Sequence, residues 1–186
     1  MAKLIYVANV SLDGYIEDER GSFDWTAPDD ELFAFITDLV RPVGTYLYGR
    51  RMYETMAPWE TDRALAAQSD LMADFANVWR AADKVVYSTT LDAVSTTKTR
   101  LEHSFDPASV RGVKASATSD LTVGGADLAA QAFRVGLVDE FHPFIRPVLV
   151  GGGKPALPSD TRAELELLDD RRLSNGVVYL RYRIPT

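Results

Sequence analysis

Two apolar rhythms alternate along this chain, and together they predict an α/β protein. Short runs of strand formers occur at Leu4 to Val10, Gly44 to Tyr48, Lys84 to Thr90 and Leu121 to Val123. The first is apolar without a break, which suits a strand buried on both faces. Between these runs, apolar residues recur at helical spacing. Leu32, Phe33, Phe35, Ile36 and Leu39 form one stripe. Leu65, Leu71, Phe75, Val78 and Trp79 lie in a helix predicted over Thr61 to Ala82, and Leu128, Ala129, Ala132 and Phe133 in one that ends near Gly136. Gly49-Arg50-Arg51 opens a further helix with Met52, Tyr53 and Met56, and Trp59 on it or just after it. Pro107 to Ala117 is another helix candidate. Leu91 to Asp106 reads as irregular, with one short strand near Thr99 to Glu102.

Turn chemistry separates these elements. Asp13-Gly14 marks a turn, and the polar residues Glu17 to Ser22 a loop. Thr26 with Asp29 three residues on resembles a capping box, and Pro28 fits a first helical turn. Phe141 to Val150 reads as a strand whose Pro143 and Pro147 predict an edge position or an irregular ladder. Leu165 to Leu173 and Val177 to Ile184 read as strands joined at Ser174-Asn175-Gly176, and Asn-Gly between strands signals a hairpin.

Composition narrows the function classes. With 186 residues, 46% hydrophobic and 25% charged, the chain reads as one ordinary globular domain over 1–186. Its net charge of −7 argues against general affinity for nucleic acid or an anionic membrane. The absence of cysteine excludes disulfides, thiolate metal sites and a cysteine nucleophile. His103 and His142 stand far apart and make no metal-binding motif, so no metal is expected. The N-terminal stretch lacks the apolar run of a signal peptide and no segment suits a membrane span, so a cytoplasmic location is expected.

Three strand ends carry candidate chemistry. Leu121-Thr122-Val123-Gly124-Gly125-Ala126-Asp127-Leu128 runs from strand through a glycine pair into a helix. Glycine lets backbone approach a pyrophosphate, and a helix N-terminus offers free N–H groups and a positive dipole end. Taken alone the stretch reads better as a tight turn, and the GxGxxG fingerprint of an ordinary Rossmann fold is absent. Gly49-Arg50-Arg51 repeats the junction with two arginines, which fork onto phosphate or simply sit solvated on the surface. Ser88 and Thr89 end a third strand, where hydroxyls bind phosphate or ribose or cap a turn. Gly151-Gly152-Gly153-Lys154 lacks the GxxxxGK[ST] spacing and precedes Pro155, so a Walker A loop is rejected.

A sheet of alternating strands and helices puts such ends along one edge, where ligands bind. In their order these segments resemble the dihydrofolate reductase fold, and more closely the reductase domain of bacterial riboflavin biosynthesis. The resemblance rests on Ser11-Leu12-Asp13-Gly14, Gly49-Arg50-Arg51, Val85-Val86-Tyr87-Ser88, Gly124 to Leu128, Val138-Asp139-Glu140 and Val148 to Pro155, and covers nearly the whole chain. It implies a dihydrofolate reductase-like three-layer α/β/α fold, with a mixed, mostly parallel central sheet and a C-terminal antiparallel hairpin. It implies NADPH as hydride donor, held by Gly49, Arg50 and Arg51 and by Ser88 and Thr89 at the adenosine end. Gly124, Gly125, Ala126, Asp127 and Leu128 would hold the pyrophosphate and part of the nicotinamide ribose. The spare arginine would favour the 2′-phosphate of NADPH over NADH.

The same resemblance implies a small heterocyclic substrate and a homodimer. Trp25, Pro28 and Asp30 match the dihydrofolate reductase pattern, while Asp13 and Glu140 match the riboflavin type. Asp30, on a first helical turn behind Trp25 and beside Phe33, is the expected catalytic acid. Asp13, Trp25, Phe33 and Glu140 are expected at the substrate. The chain has no deaminase half and no Cys/His zinc signature, so deamination is excluded. Two readings follow: an NADPH-dependent reductase of a pterin, pyrimidine or related planar nitrogen heterocycle, or a non-catalytic nucleotide-binding protein of the same fold.

Overall fold

In the computed structural model, which describes residues 1–185, the apolar runs pair as strands and the periodic stretches coil between them. The strands are β1 (Leu4–Ser11), β2 (Tyr15–Glu17), β3 (Thr45–Gly49), β4 (Asp83–Tyr87), β5 (Thr99–Glu102), β6 (Leu121–Gly124), β7 (Glu140–Arg146), β8 (Lys154–Pro155), β9 (Glu166–Arg172) and β10 (Val178–Arg183). The helices are α1 (Asp30–Val40), α2 (Arg50–Met56), α3 (Pro58–Thr61), α4 (Arg63–Ala66), α5 (Asp70–Ala81), α6 (Pro107–Ser116) and α7 (Ala126–Arg134). One eight-stranded sheet has the order β5-β4-β3-β6-β1-β7-β10-β9. All pairs from β5 across to β7 are parallel, and β10 is antiparallel to both β7 and β9. A separate ribbon of β2 and β8, which no apolar rhythm marks, ties the loop after β1 to the triple-glycine segment.

Strand alternation sorts the core into two layers. Leu47 and Val85 face one side with Val110 of α6 and Leu128, Ala129 and Ala132 of α7. Tyr46, Tyr48 and Val86 face the other with Val40 of α1 and Phe75 and Trp79 of α5. The result is the α/β/α sandwich with a mostly parallel sheet and a closing hairpin that the resemblance implies. Among the described residues no helix is long and apolar enough to cross a membrane, and no group of three or more His, Cys, Asp or Glu side chains could hold a metal ion.

Local chemistry explains where the elements differ from expectation. Asp29, not Thr26, caps α1: its carboxylate accepts from Leu32 N at 2.9 Å, while the Thr26 hydroxyl closes the single 3-10 turn at Asp24–Thr26. The expected long helix from Thr61 is broken into α4 and α5, because Asp62 and Ser69 each start a new one by accepting backbone N–H bonds. The third strand stops at Tyr87, since the Ser88 hydroxyl accepts from Leu91 N and Thr90 N and turns the chain. The prolines do not put β7 at an edge: it lies between β1 and β10. Pro143, which has no N–H, coincides with a gap in the β7–β10 register, where Phe144 pairs with Tyr179 and Phe141 with Tyr182 but nothing pairs between.

Glu140 starts β7 as a buried hub, 2% exposed. It accepts from Lys3 Nζ at 2.6 Å, Arg181 Nε at 2.8 Å and His142 Nε2 at 2.8 Å. Tyr179 Oη meets His142 Nδ1 at 3.1 Å, so a neutral imidazole donates to Glu140 and accepts from the phenol. Burial alone would raise the Glu140 pKa, but donors from Arg181, Lys3 and His142 outweigh it and bring it down to about 2. Burial lowers the His142 pKa, against the opposing pull of Glu140. Both shifts act in one direction. The Glu140 contribution is present above the ordinary value of 4.5 and fades as the pH falls toward 2. The unfolded chain takes up a proton at His142 below the ordinary 6.5 that the folded chain resists. Stability therefore falls on acidification from neutral pH. Glu140→Gln should lower the unfolding free energy at neutral pH by about 2–3 kcal/mol, less than for a fully buried pair because Lys3 and Arg181 keep solvent contact. Urea unfolding from neutral pH into the acid range tests this. An unchanged midpoint and an unchanged acid limb would contradict the hub.

Candidate active-site cleft

Parallel alignment brings the C-terminal ends of β3, β4 and β6 to one edge of the sheet, and a cleft of about 840 Å³ opens there. Its wall is backbone where the sequence has glycine. A Cβ on Gly124 would lie 2.8 Å from Tyr48 Cδ1 and 3.0 Å from Met52 Cγ, closer than side chains pack. Gly125 has φ +98°, a left-handed conformation that strains other residues, and a Cβ there would face Gly49 N at 3.8 Å. The two strand-to-helix junctions thus meet. Asp29, Asp62, Ser69 and Asp106 cap α1, α4, α5 and α6 with side chains. Gly49 and Gly125, at the starts of α2 and α7, supply none, so the first N–H groups of the nine-residue α7 have no side-chain cap.

Charged groups rim the cleft. Arg50 donates to Glu54 Oε1 at 2.7 Å and to Thr90 Oγ1 at 2.8 Å, and Arg51 donates to Glu17 Oε1 at 2.9 Å. Lys154, on the triple-glycine segment, bridges to Asp127 at 2.8 Å and lies 4.0 Å from Glu17. His103 Nδ1 meets the Ser88 carbonyl at 3.0 Å beside the end of β4. The floor is different in kind. Tyr46 and Tyr48 stack with centroids 5.5 Å apart, next to Ile36, Val40 and Phe144. Two floor atoms, Asn9 Oδ1 and Tyr46 Oη, are buried without a hydrogen-bond partner. Burial pushes the Tyr46 pKa up, so its hydroxyl stays a donor.

Of the residues expected at the cofactor, Gly49, Arg50, Arg51, Ser88, Thr89, Gly124, Gly125, Ala126, Asp127 and Leu128 all line this cleft. The residues expected at the substrate do not. Asp30 is exposed at the start of α1, and Phe33 packs on Trp59 and Phe75 at 5.8 and 5.4 Å. Asp13 accepts from Gly151 N at 2.7 Å and Val150 N at 3.2 Å. The Ser11 hydroxyl, with these two N–H groups, holds its carboxyl below the usual range. Trp25 lines a second, smaller cavity with Arg146. Glu140 faces the same side as Phe144 but begins β7, and the six residues to Arg146 span about 20 Å at strand rise. Asn9 and Tyr46 carry no signal in the sequence, while His103 and Lys154 are weighed there only for a metal site and a Walker A loop. Asn9 sits unmarked within an apolar run, and Lys154 follows a glycine motif that fails as a phosphate loop.

The sequence matches the RibD C-terminal domain family over residues 2–179. It is 29% identical over 182 residues to the uncharacterized protein YyaP of Bacillus subtilis (strain 168), covering 97% of this chain and 94% of that protein. Among solved structures, the putative riboflavin biosynthesis protein from Shewanella sp. PV-4 superposes with a TM-score of 0.75 at 21% identity, over 100% of both chains. Dihydrofolate reductase from Enterococcus faecalis, complexed with NADP(H), superposes with a TM-score of 0.65 at 11% identity, over 99% of this chain and 97% of that one. With the glycine junctions, the strand order and the closing hairpin all in place, the chain belongs to the RibD C-terminal domain family, on a dihydrofolate reductase-like fold.

Proposed function

We propose that this chain is an NADPH-dependent reductase of a planar nitrogen heterocycle. The observation that carries the reading is the convergence of the β3, β4 and β6 ends on one cleft, with α7 free of a side-chain cap and Gly125 at its start partly exposed. The residues present fit a dinucleotide. Gly125 and the first turn of α7 suit a pyrophosphate, and Arg50 and Arg51 suit a 2′-phosphate. Their existing partners are exposed ion pairs worth about 0–1 kcal/mol, which a phosphate can replace. Bound there, the cofactor would supply a hydride from the nicotinamide. Ile36, Val40 and Tyr46 offer a flat ring an apolar bed. Asn9 Oδ1 would accept a ring N–H, and Tyr46 would donate to a ring carbonyl or nitrogen.

Reduction also needs a proton. Glu17, Glu54 and Asp127 line the cleft, but each is paired with a cation at its rim. In this reading Tyr46 or a water beside it presents the proton, and Asp30, Asp13 and Glu140 keep structural positions. Among the described residues no unpaired carboxylate lines the floor, which favours the second reading, a nucleotide-binding protein without turnover. NADPH oxidation across a panel of pterins and pyrimidines, beside a binding isotherm, separates the two. Binding without oxidation of any panel member would support the second.

A homodimer goes with this proposal. All seven residues of β9 are exposed at the sheet edge, Leu167 and Leu168 among them, as is Leu165 just before it. A long unpaired edge with apolar side chains invites a second copy. Light scattering at micromolar concentration should give twice 20.6 kDa, and a species of 20.6 kDa alone would overturn the dimer.

Two substitutions probe the cofactor assignment. Replacing Arg50 and Arg51 together with alanine should weaken NADPH by about one to two decades while NADH changes little. Equal affinity of the native protein for the two cofactors would refute the role of the arginines. Gly125→Val should leave a folded protein that no longer binds NADPH, since a branched side chain at positive φ both strains the turn and fills the approach to α7. Normal binding by the folded variant would remove the pyrophosphate from this junction.

A further inference from the structure

Arg146 is a buried cation that makes no ion pair among the described residues. It ends β7 on the same face as Phe144 and is 7% exposed. Its Nη2 donates to the carbonyls of Ala27 at 2.8 Å and Trp25 at 3.2 Å. Its Nη1 is buried and donates to nothing. Asp29 lines the same cavity and acts on Arg146 through space, but makes no ion pair with it, and its Oδ1 accepts from Leu32 N. Burial opposes the charge, yet a guanidinium does not give up its proton in a protein. The indole Nε1 of Trp25 is a second buried donor with no partner among the described residues, and Trp25 lines the same cavity of about 290 Å³. Asn175 lies on the rim, its Oδ1 taken by Val177 N.

A buried charge with unsatisfied N–H groups is costly unless something supplies both negative charge and acceptor atoms. Water supplies only the second. An oxyanion supplies both, and its geometry matches the guanidinium fork. We propose that Arg146 and Trp25 form an oxyanion-binding subsite that takes a carboxylate or phosphate group. The group has two possible sources, a free small ion or an anionic arm on the molecule in the main cleft. Thr26 and Phe144 line that cleft while their neighbours Trp25 and Arg146 line this cavity, so the two spaces adjoin. The arm rests on the reductase reading, whereas the free ion does not.

The indole N–H of Trp25 reports occupancy directly by NMR. The chain has three tryptophans, so Trp25→Phe assigns its signal by removal. Inorganic phosphate, titrated at constant ionic strength, should move that signal saturably and leave the Trp59 and Trp79 signals in place. Arg146→Gln should weaken the response about ten-fold or more. If that variant does not fold, the comparison passes to thermal stability: phosphate should raise the melting temperature of the native protein more than that of Trp25→Phe. Uridine monophosphate and uridine distinguish the sources. A response to the nucleotide but to neither uridine nor free phosphate assigns the site to an arm, and a response to free phosphate assigns it to an ion. If neither phosphate nor the nucleotide moves the Trp25 signal saturably, the cavity holds water and the subsite is wrong. The titrations need no turnover, so a failed reductase assay leaves their outcome readable.

Discussion

The cleft at the C-terminal edge of the sheet depends on two positions where a side chain cannot be placed. The chain puts Gly124 against Tyr48 and Met52, where a Cβ would collide, and Gly125 at a positive φ, where a Cβ would strain the turn. Those two positions let β6 pair with β3 up to Gly124 and let α7 start at the cleft. The parallel sheet then fixes the rest. Strands of one direction deliver their ends to one edge, and helices on both faces bury what the strands alternate outward. Cleft, rim charges and aromatic floor are consequences of that constraint.

The two ends of β7 treat buried charge in opposite ways. At its start, Glu140 is surrounded by Lys3, Arg181 and His142, and its carboxyl is held well below the ordinary range after burial has been outweighed. At its end, Arg146 has carbonyl oxygens on one nitrogen and nothing on the other. The first arrangement is closed and leaves no valence for a ligand. The second is open. An acid with a perturbed pKa is a common marker of function, but here the perturbation belongs to structural pairing, and the informative group is the one whose pairing is incomplete.

What could be read from the sequence was whatever backbone rules decide locally. Strand, glycine and helix in succession located residues that line the cleft, and Asn175-Gly176 located the hairpin, because these depend on a few adjacent residues. What depends on direction could not be read. Asp30 shares α1 with the cleft-lining Ile36, yet six residues at about 100° each put the two about 120° apart around the helix. Pro143 argued for an edge or an irregular ladder, and only the sheet decides between them: β7 is interior, with a break in its pairing to β10 at His142 and Pro143. The orphaned atoms of Asn9 and Arg146 are invisible in a sequence, since being unpartnered is a property of every neighbour at once.

If the proposed reductase function holds, the floor of the cleft constrains the chemistry more tightly than the fold does. A carboxylate there would be costly without a partner, and the described floor has none, only a phenol and a carboxamide oxygen. A phenol whose pKa is pushed up by burial is a poor acid in its ground state but a firm hydrogen-bond donor. Such a group polarises a carbonyl or imine toward hydride addition without first losing its own proton, and it leaves the acidic residues at the rim to neutralise arginine and lysine. On the reductase function proposed above, substrates that gain basicity as they are reduced would fit this floor better than substrates that must be protonated beforehand, because only the former draw the proton at the moment the hydride arrives.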